Sequence, residues 1–230
     1  MTERSPTKAE LLEGLRAGGT AIVPAGDPLL ARHLPAQGPV VTFGQGGDID
    51  ALPDGLKLTT GGRPLSAHLH TNALAAVAAA RAVGVEPDGV VDVSVSELRG
   101  QRVAVSRDIV VVNDCYNANP MSMRAALDDL AASAPGRRVA VLGDMLELGP
   151  EEQRFHEEIG AHARVCGVDL LVTVGPRAAA MAPRYGGESH AVPAAADAAA
   201  LLPALLQPGD TVLVKGSRGV GLEVVAERLA

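Results

Sequence analysis

The sequence predicts an α/β protein. A Rossmann-like parallel sheet fills its C-terminal half, and a smaller α/β segment precedes it. Three observations predict this. From Arg138 onward, short apolar runs alternate with helical patterns at the spacing of βα units. The chain is 47% hydrophobic but only 2% aromatic and has no Trp, so its core is built from Ala, Val and Leu, which suits helices packed on parallel strands. Polar clusters follow directly after several apolar runs, where open α/β sheets bind ligands.

The first half is less regular. Ser5-Pro6 reads as an N-cap and first helical residue, Leu11, Leu12 and Leu15 as an apolar stripe, and Gly18-Gly19 as the stop. Lys8 falls in the first turn, at the positive end of the helix dipole, an unusual place for a cation. Thr20–Val23 and Val40–Gly44 read as buried strands, with a short helical stretch at Leu29–His33 between them. Residues 45–55 read as loop and Leu56–Thr60 as an edge strand. His68–Val83 is an Ala-rich helix. His68, His70 and Asn72 do not share a helix face, which argues against a metal there. A second short helix is expected over Asp88–Leu98. Arg102–Ser106 then pairs as a hairpin with Ile109–Val112. A domain boundary is expected near Ser106–Asp108, giving domains 1–107 and 108–230.

Strands are expected at Arg138–Gly143, Asp169–Gly175, Ser189–Val192 and Thr211–Val214. Helices are expected at Glu151–Val165, Pro176–Pro183, Ala194–Leu206 and Val220–Leu229. Parallel strands present their carboxyl ends together. Asp114–Asn119, Gly143–Leu148 (with Asp144 and Glu147) and Lys215–Arg218 therefore converge on one edge as a candidate cleft. Taken singly, each cluster also fits an ordinary turn or helix cap.

The net charge of −7 argues against nucleic acid as a partner. No apolar run is long enough to span a membrane. Cys115 and Cys166 have no metal-ligand spacing and fit a reducing compartment, so a cytoplasmic location is expected.

The motifs carry a resemblance. Asp114-Cys-Tyr-Asn-Ala-Asn-Pro-Met-Ser-Met123 is similar to the D-x-Y-N-A-N-P-x-S-M signature of the MurF branch of the Mur ligases. Leu142-Gly-Asp-Met-Leu-Glu-Leu-Gly149, with His156 after it, and Val214-Lys-Gly-Ser-Arg218 resemble two further segments of that family in order. Upstream, Lys8, Asp27-Pro28, Thr42-Phe-Gly44 and His68-x-x-x-Asn72 also fall in family order. The family joins an amine to a carboxylate activated by ATP with Mg²⁺. The resemblance therefore implies amide or peptide bond formation on a nucleotide-linked or peptide substrate. It implies that Lys8 (as a carbamate at the metal), Arg102, Asp114 and Lys215 serve catalysis. Asn72, Arg102, Asp114, Tyr116, Asn117 and Asn119 would face the nucleotide, and Asp144, Glu147, His156, Lys215, Ser217 and Arg218 the substrate.

The sequence also departs from the family. No G-x-x-x-x-G-K-[ST] segment is present, nor the family's N-terminal sugar-binding domain. Residues 1–107 resemble only the second half of the family's central domain, and residues 44–66 are shorter than its insert there. These internal changes and the Met1 start lead to the expectation of a natural truncated relative that works with a P-loop partner chain, a homodimer or a pre-activated substrate. The alternatives are a non-catalytic nucleotide- or substrate-binding module, a subunit of a split ligase, or new chemistry with Cys115 as nucleophile.

Overall fold

The computed structural model describes residues 10–35, 38–60, 62–65, 67–93 and 100–229. The chain divides into two compact units, 1–94 and 95–230.

In the first unit, β1 (Ala21–Pro24) and β2 (Val40–Phe43) pair in parallel, with α1 (Glu10–Glu13) before them and α2 (Pro28–Ala31) between them. A second sheet has the order β4 (Arg63–Pro64), β3 (Leu56–Thr60), β5 (Gly89–Asp92). The strand expected at an edge, β3, is therefore flanked on both sides. The long helix α3 (Ala67–Ala82) buries Leu74, Val77 and Ala78 with Ile49 and Leu56. The helix expected over Asp88–Leu98 is a strand in its first part. Gly89 has φ +88, a left-handed conformation that stops a helix from starting there, and Val90-Val91 favour the extended chain that pairs with β3. Residues 94–99 lie outside the described residues, as does Lys8.

The second unit holds a six-stranded sheet. Its strands are β6 (Gln101–Ala104), β7 (Val110–Asp114), β8 (Arg138–Gly143), β9 (Leu170–Val174), β10 (Glu188–Val192) and β11 (Thr211–Lys215), in the order β10-β9-β8-β11-β7-β6. All neighbours are parallel except β6, which pairs antiparallel with β7 at the edge. The hairpin expected from the alternating sequence is present. It also corrects the boundary. A cut at 107/108 would divide β6 from β7, whose ladder joins Gln101 to Asn113 and Ala104 to Val110, so β6 belongs to the second unit.

Successive side chains of a strand point to opposite faces, so unbroken apolar runs supply two cores. On one face Val112, Ala140, Leu142, Leu171 and Leu213 pack under α4 (Pro120–Ser133), α5 (Glu152–Val165) and α6 (Met181–Tyr185). On the other, Val111, Val139, Val141, Val172, Val212 and Val214 pack under α7 (Ala195–Leu205) and α8 (Glu223–Leu229). No helix among the described residues is long and apolar enough to cross a membrane.

Candidate functional site

The site forms where β11 lies between β7 and β8. Lys215, the last residue of β11, is in register with Asp114 on one side and Leu142 on the other. Residues in register on parallel strands project to the same face. Lys215 Nζ accordingly donates to Asp114 Oδ2 at 2.6 Å and to the Asn117 carbonyl at 3.0 Å. Lys215 is 2% exposed, while the Asp114 side chain is 23% exposed. Lys215 thus anchors Asp114 from below and leaves it at the rim. Among the described residues no donor reaches Asp114 Oδ1.

The three strand-end loops are tied together by Ser217. Its N–H donates to the Asp144 carbonyl at 3.0 Å, and its Oγ accepts from the Leu146 N–H at 2.9 Å. Its hydroxyl also lies 3.5 Å from the Ala118 carbonyl. The loops meet this closely because Gly216 has no side chain. A Cβ there would sit 2.7 Å from Leu222 Cδ1 and 3.2 Å from the Gly143 Cα.

Asn119 is the N-cap of α4. Its side chain accepts from the Ser122 N–H at 2.9 Å, and Ser122 Oγ accepts from the Asn119 N–H at 3.1 Å, a capping box. The Asn117 side-chain oxygen accepts from the Ala118 N–H at 2.8 Å. Tyr116 and Arg218 are exposed, with the guanidinium carbon 5.5 Å from the ring centre.

Several residues that the family resemblance assigned to substrate are engaged in the fold. The Asp144 carboxylate is buried and accepts the Arg177 and Ala178 N–H groups at 3.0 and 2.7 Å, which caps the turn leading into α6. His156 is fully buried in α5. Its Nδ1 lies 2.7 Å from the Glu152 carbonyl and its Nε2 accepts the Met145 N–H at 2.9 Å, so the ring proton is on Nδ1. Glu147 is exposed, in a left-handed conformation with φ 62. Arg102 does not join the strand-end cluster. It lies in mid-hairpin, in register with Val112, and its guanidinium is held by Asp129 at 2.7 Å and Ser133 at 2.5 Å in the second half of α4. Asn72 is exposed on α3 in the first unit. Lys8, the residue implied for the metal, lies outside the described residues.

The Cys115 nucleophile is corrected. Its thiol is buried and points at the Val214 carbonyl, 3.4 Å away. Burial first, then Asp114 and Glu223, push it up to about 12, so no thiolate is available near neutral pH. Sequence reasoning missed Arg177 and the Leu146 N–H, which brace Asp144 and Ser217. Arg177 follows Gly175-Pro176 after a strand, a position that could have flagged it as a strand-end residue.

The arrangement can accept a hydrogen bond from a ligand hydroxyl and lie against a planar or anionic group. Asp114 offers an anchored acceptor at the rim, next to an aromatic ring with a cation over it. It does not suit Mg²⁺. Of the three carboxylates in these loops, Asp114 is bound to a lysine and Asp144 to backbone amides, leaving no cage of oxygen ligands.

Residues 98–218 match the model of the Mur ligase glutamate ligase domain. The chain belongs to the Mur ligase family. The UDP-N-acetylmuramoyl-tripeptide–D-alanyl-D-alanine ligase of Synechocystis sp. is 34% identical over 236 residues, covering 96% of this chain and 52% of the relative. The corresponding Bacillus subtilis ligase is 31% identical, covering 96% and 53%. Among solved structures, MurF of Acinetobacter baumannii is 28% identical with a TM-score of 0.79, over 96% of this chain and 54% of that one. The MurF ligase of Thermotoga maritima in complex with ADP has the same fold, with a TM-score of 0.79 at 24% identity over 97% and 56%. The chain spans about half the length of the curated relatives it matches.

Proposed function

We propose that these 230 residues form the C-terminal half of a MurF-like amide ligase and present Asp114 to the ribose side of a nucleotide. The carrying observation is the buried Lys215 beneath a rim-exposed Asp114, at the carboxyl edge of a sheet shared with MurF structures. In the reaction the family implies, ATP activates a carboxylate as an acyl phosphate and an amine attacks it. Lys215 holds Asp114 and the Asn117 loop in one position, so that binding need not order them. The exposed Arg218 faces solvent at the same rim and offers a planar, cationic donor to an anionic substrate.

No G-x-x-x-x-G-K-[ST] segment occurs in these residues, so whatever cradles the β- and γ-phosphates comes from outside them, on the same or another polypeptide. A second copy of the same residues brings no such loop, so a homodimer does not complete the site. The missing loop also supports a second reading, a non-catalytic nucleotide- or substrate-binding module.

Calorimetry with ADP and ATP, with and without Mg²⁺, separates these readings. The chain is titrated alone and after mixing with the separately produced P-loop half of a MurF relative. Nucleotide binding is expected to tighten in the mixture. Asp114→Ala is expected to weaken it about tenfold, the loss of a hydrogen bond to a charged group, and to abolish amide product. Unchanged affinity and product formation in that variant would sink the proposal. Binding without phosphate release or product in the mixture would favour the non-catalytic module.

A further inference from the structure

At the other edge of the second unit, α4 and α5 run in the same direction and are cross-linked at matching steps. Arg124 pairs with Glu158 at 3.1 Å, and one turn later Asp128 Oδ1 lies 2.8 Å from His162 Nε2. A further turn along α5, Cys166 Sγ approaches the same Asp128 oxygen at 3.4 Å. His162 and Cys166 are four residues apart, which puts them on one face of α5 and its C-cap. The three ligand atoms all lie within 4.8 Å of one another.

We propose that Asp128, His162 and Cys166 bind a single Zn²⁺-class cation, with a fourth position open to water. The donor set is one thiolate sulfur, one imidazole nitrogen and one carboxylate oxygen, the set for which tetrahedral zinc is suited. The helix geometry supports a cation, because Cys166 caps α5, where the dipole is negative. Access is open on the Asp128 side, which is 61% exposed, while Cys166 is 9% exposed and holds the sulfur in place. The opposing charge is Arg138, whose guanidinium is tied to the carbonyls of Cys166 and Gly167 at 3.0 and 3.4 Å. Without a metal the Cys166 thiol keeps its proton and donates it to Asp128 Oδ1. Binding exchanges the S–H proton for an S–metal bond and releases one proton to solvent. The His162 proton moves from Nε2 to Nδ1, and no electrons transfer. The site lies at the start of β9, away from the carboxyl edge that carries Asp114, so it is a structural clamp between α4 and α5 rather than part of the ligase site.

Cobalt is the probe. The chelator-treated chain titrated with Co²⁺ is expected to bind one ion, with the thiolate-to-metal absorption and intense visible bands of tetrahedral Co²⁺. Added Zn²⁺ should bleach both. Cys166→Ser is expected to abolish the sulfur band and Cys115→Ser to leave it intact. Asp128→Asn alters an exposed side chain, so folding is not at risk, and should weaken binding about tenfold or more, as should His162→Gln. Zn²⁺ should raise the thermal midpoint of the wild type but not of Cys166→Ser. A titration without a sulfur band overturns the proposal. So does a band that survives in Cys166→Ser, or affinity unchanged in both Asp128→Asn and His162→Gln. Any of these leaves the three residues as a hydrogen-bonded helix cross-link.

Discussion

A buried ammonium is tolerated only where acceptors replace its lost water, and Lys215 has the Asp114 carboxylate and the Asn117 carbonyl. Its neighbour Cys115 meets burial differently, by staying neutral. The thiol rises from its ordinary 9.0 to about 12 in the folded chain. Between these values the unfolded chain ionises and the folded chain does not, so the unfolded state binds fewer protons and stability falls as pH rises. Stability is expected to be intact below pH 9 and to drop above it by up to about 1.4 kcal/mol per pH unit from this one group. Chemical denaturation across that range, compared with Cys115→Ala, checks this. The variant starts lower through lost packing but should show the shallower alkaline slope, and parallel slopes would refute it. The sequence identified the loops that meet at the site but not how each side chain is used. Asp144, His156 and Ser217 lie beside the site, yet they satisfy backbone groups at Ala178, Met145 and Leu146. Residue type and loop position do not reveal which buried N–H a lone pair must serve, because that depends on contacts far apart in the chain.

At the scale of elements, α5 links the core to the site, since His156 on its buried face holds the Met145 N–H. Its approach to α6 depends on Gly160. A Cβ there would run into the Met181 carbonyl, 2.7 Å from its carbon and 2.8 Å from the Met181 Cα. Backbone cannot rotate away as a side chain can, so Gly160→Ala is expected to destabilise by about 2–3 kcal/mol through overpacking, despite alanine's better helix propensity. Urea denaturation reads the loss as a lower midpoint with little change in slope. A stabilised variant would mean that α6 moves freely, contrary to its close packing on α5. The C-terminal elements were legible because each strand is an unbroken apolar run between turn signals, as both-face burial requires. The first half was less so. Gly89–Asp92 carries the same kind of short apolar signal as a helix fragment, and only its pairing with β3 makes it a strand. The metal-ligating trio was not legible at all, because Asp128 lies on α4 and its partners on α5, and the spacing between helices is set by packing.

At the scale of the molecule, the two units differ in how much apolar surface they enclose. Both large cores, under α4–α6 and under α7–α8, belong wholly to the second unit. The first unit centres on Ile49, Leu56, Leu74, Val77 and Ala78, among the described residues. A hydrophobic side chain contributes roughly 1.5–3 kcal/mol when fully buried, so the first unit has far less to set against its conformational entropy. A fragment spanning residues 100–229 retains every strand of the six-stranded sheet and both cores. It is expected to fold alone with one cooperative transition and a midpoint within a few degrees of the main transition of the whole chain. Starting the fragment at 108 instead removes β6, leaves β7 as a bare edge and should lower that midpoint, since the hairpin ladder and the Arg102–Asp129 pair go with it. Native-state hydrogen exchange on the full chain provides the second readout. Amides of α3 and β1–β3 should exchange through openings of lower free energy than those of β8, β9 and β11. If the 100–229 fragment shows no cooperative transition, or if α3 is protected as strongly as β11, the fold of the second unit depends on the first. The chain would then have to be treated as a single cooperative body, and variants at Asp114 and Lys215 would be expected to alter exchange in α3 as well as in the strand-end loops.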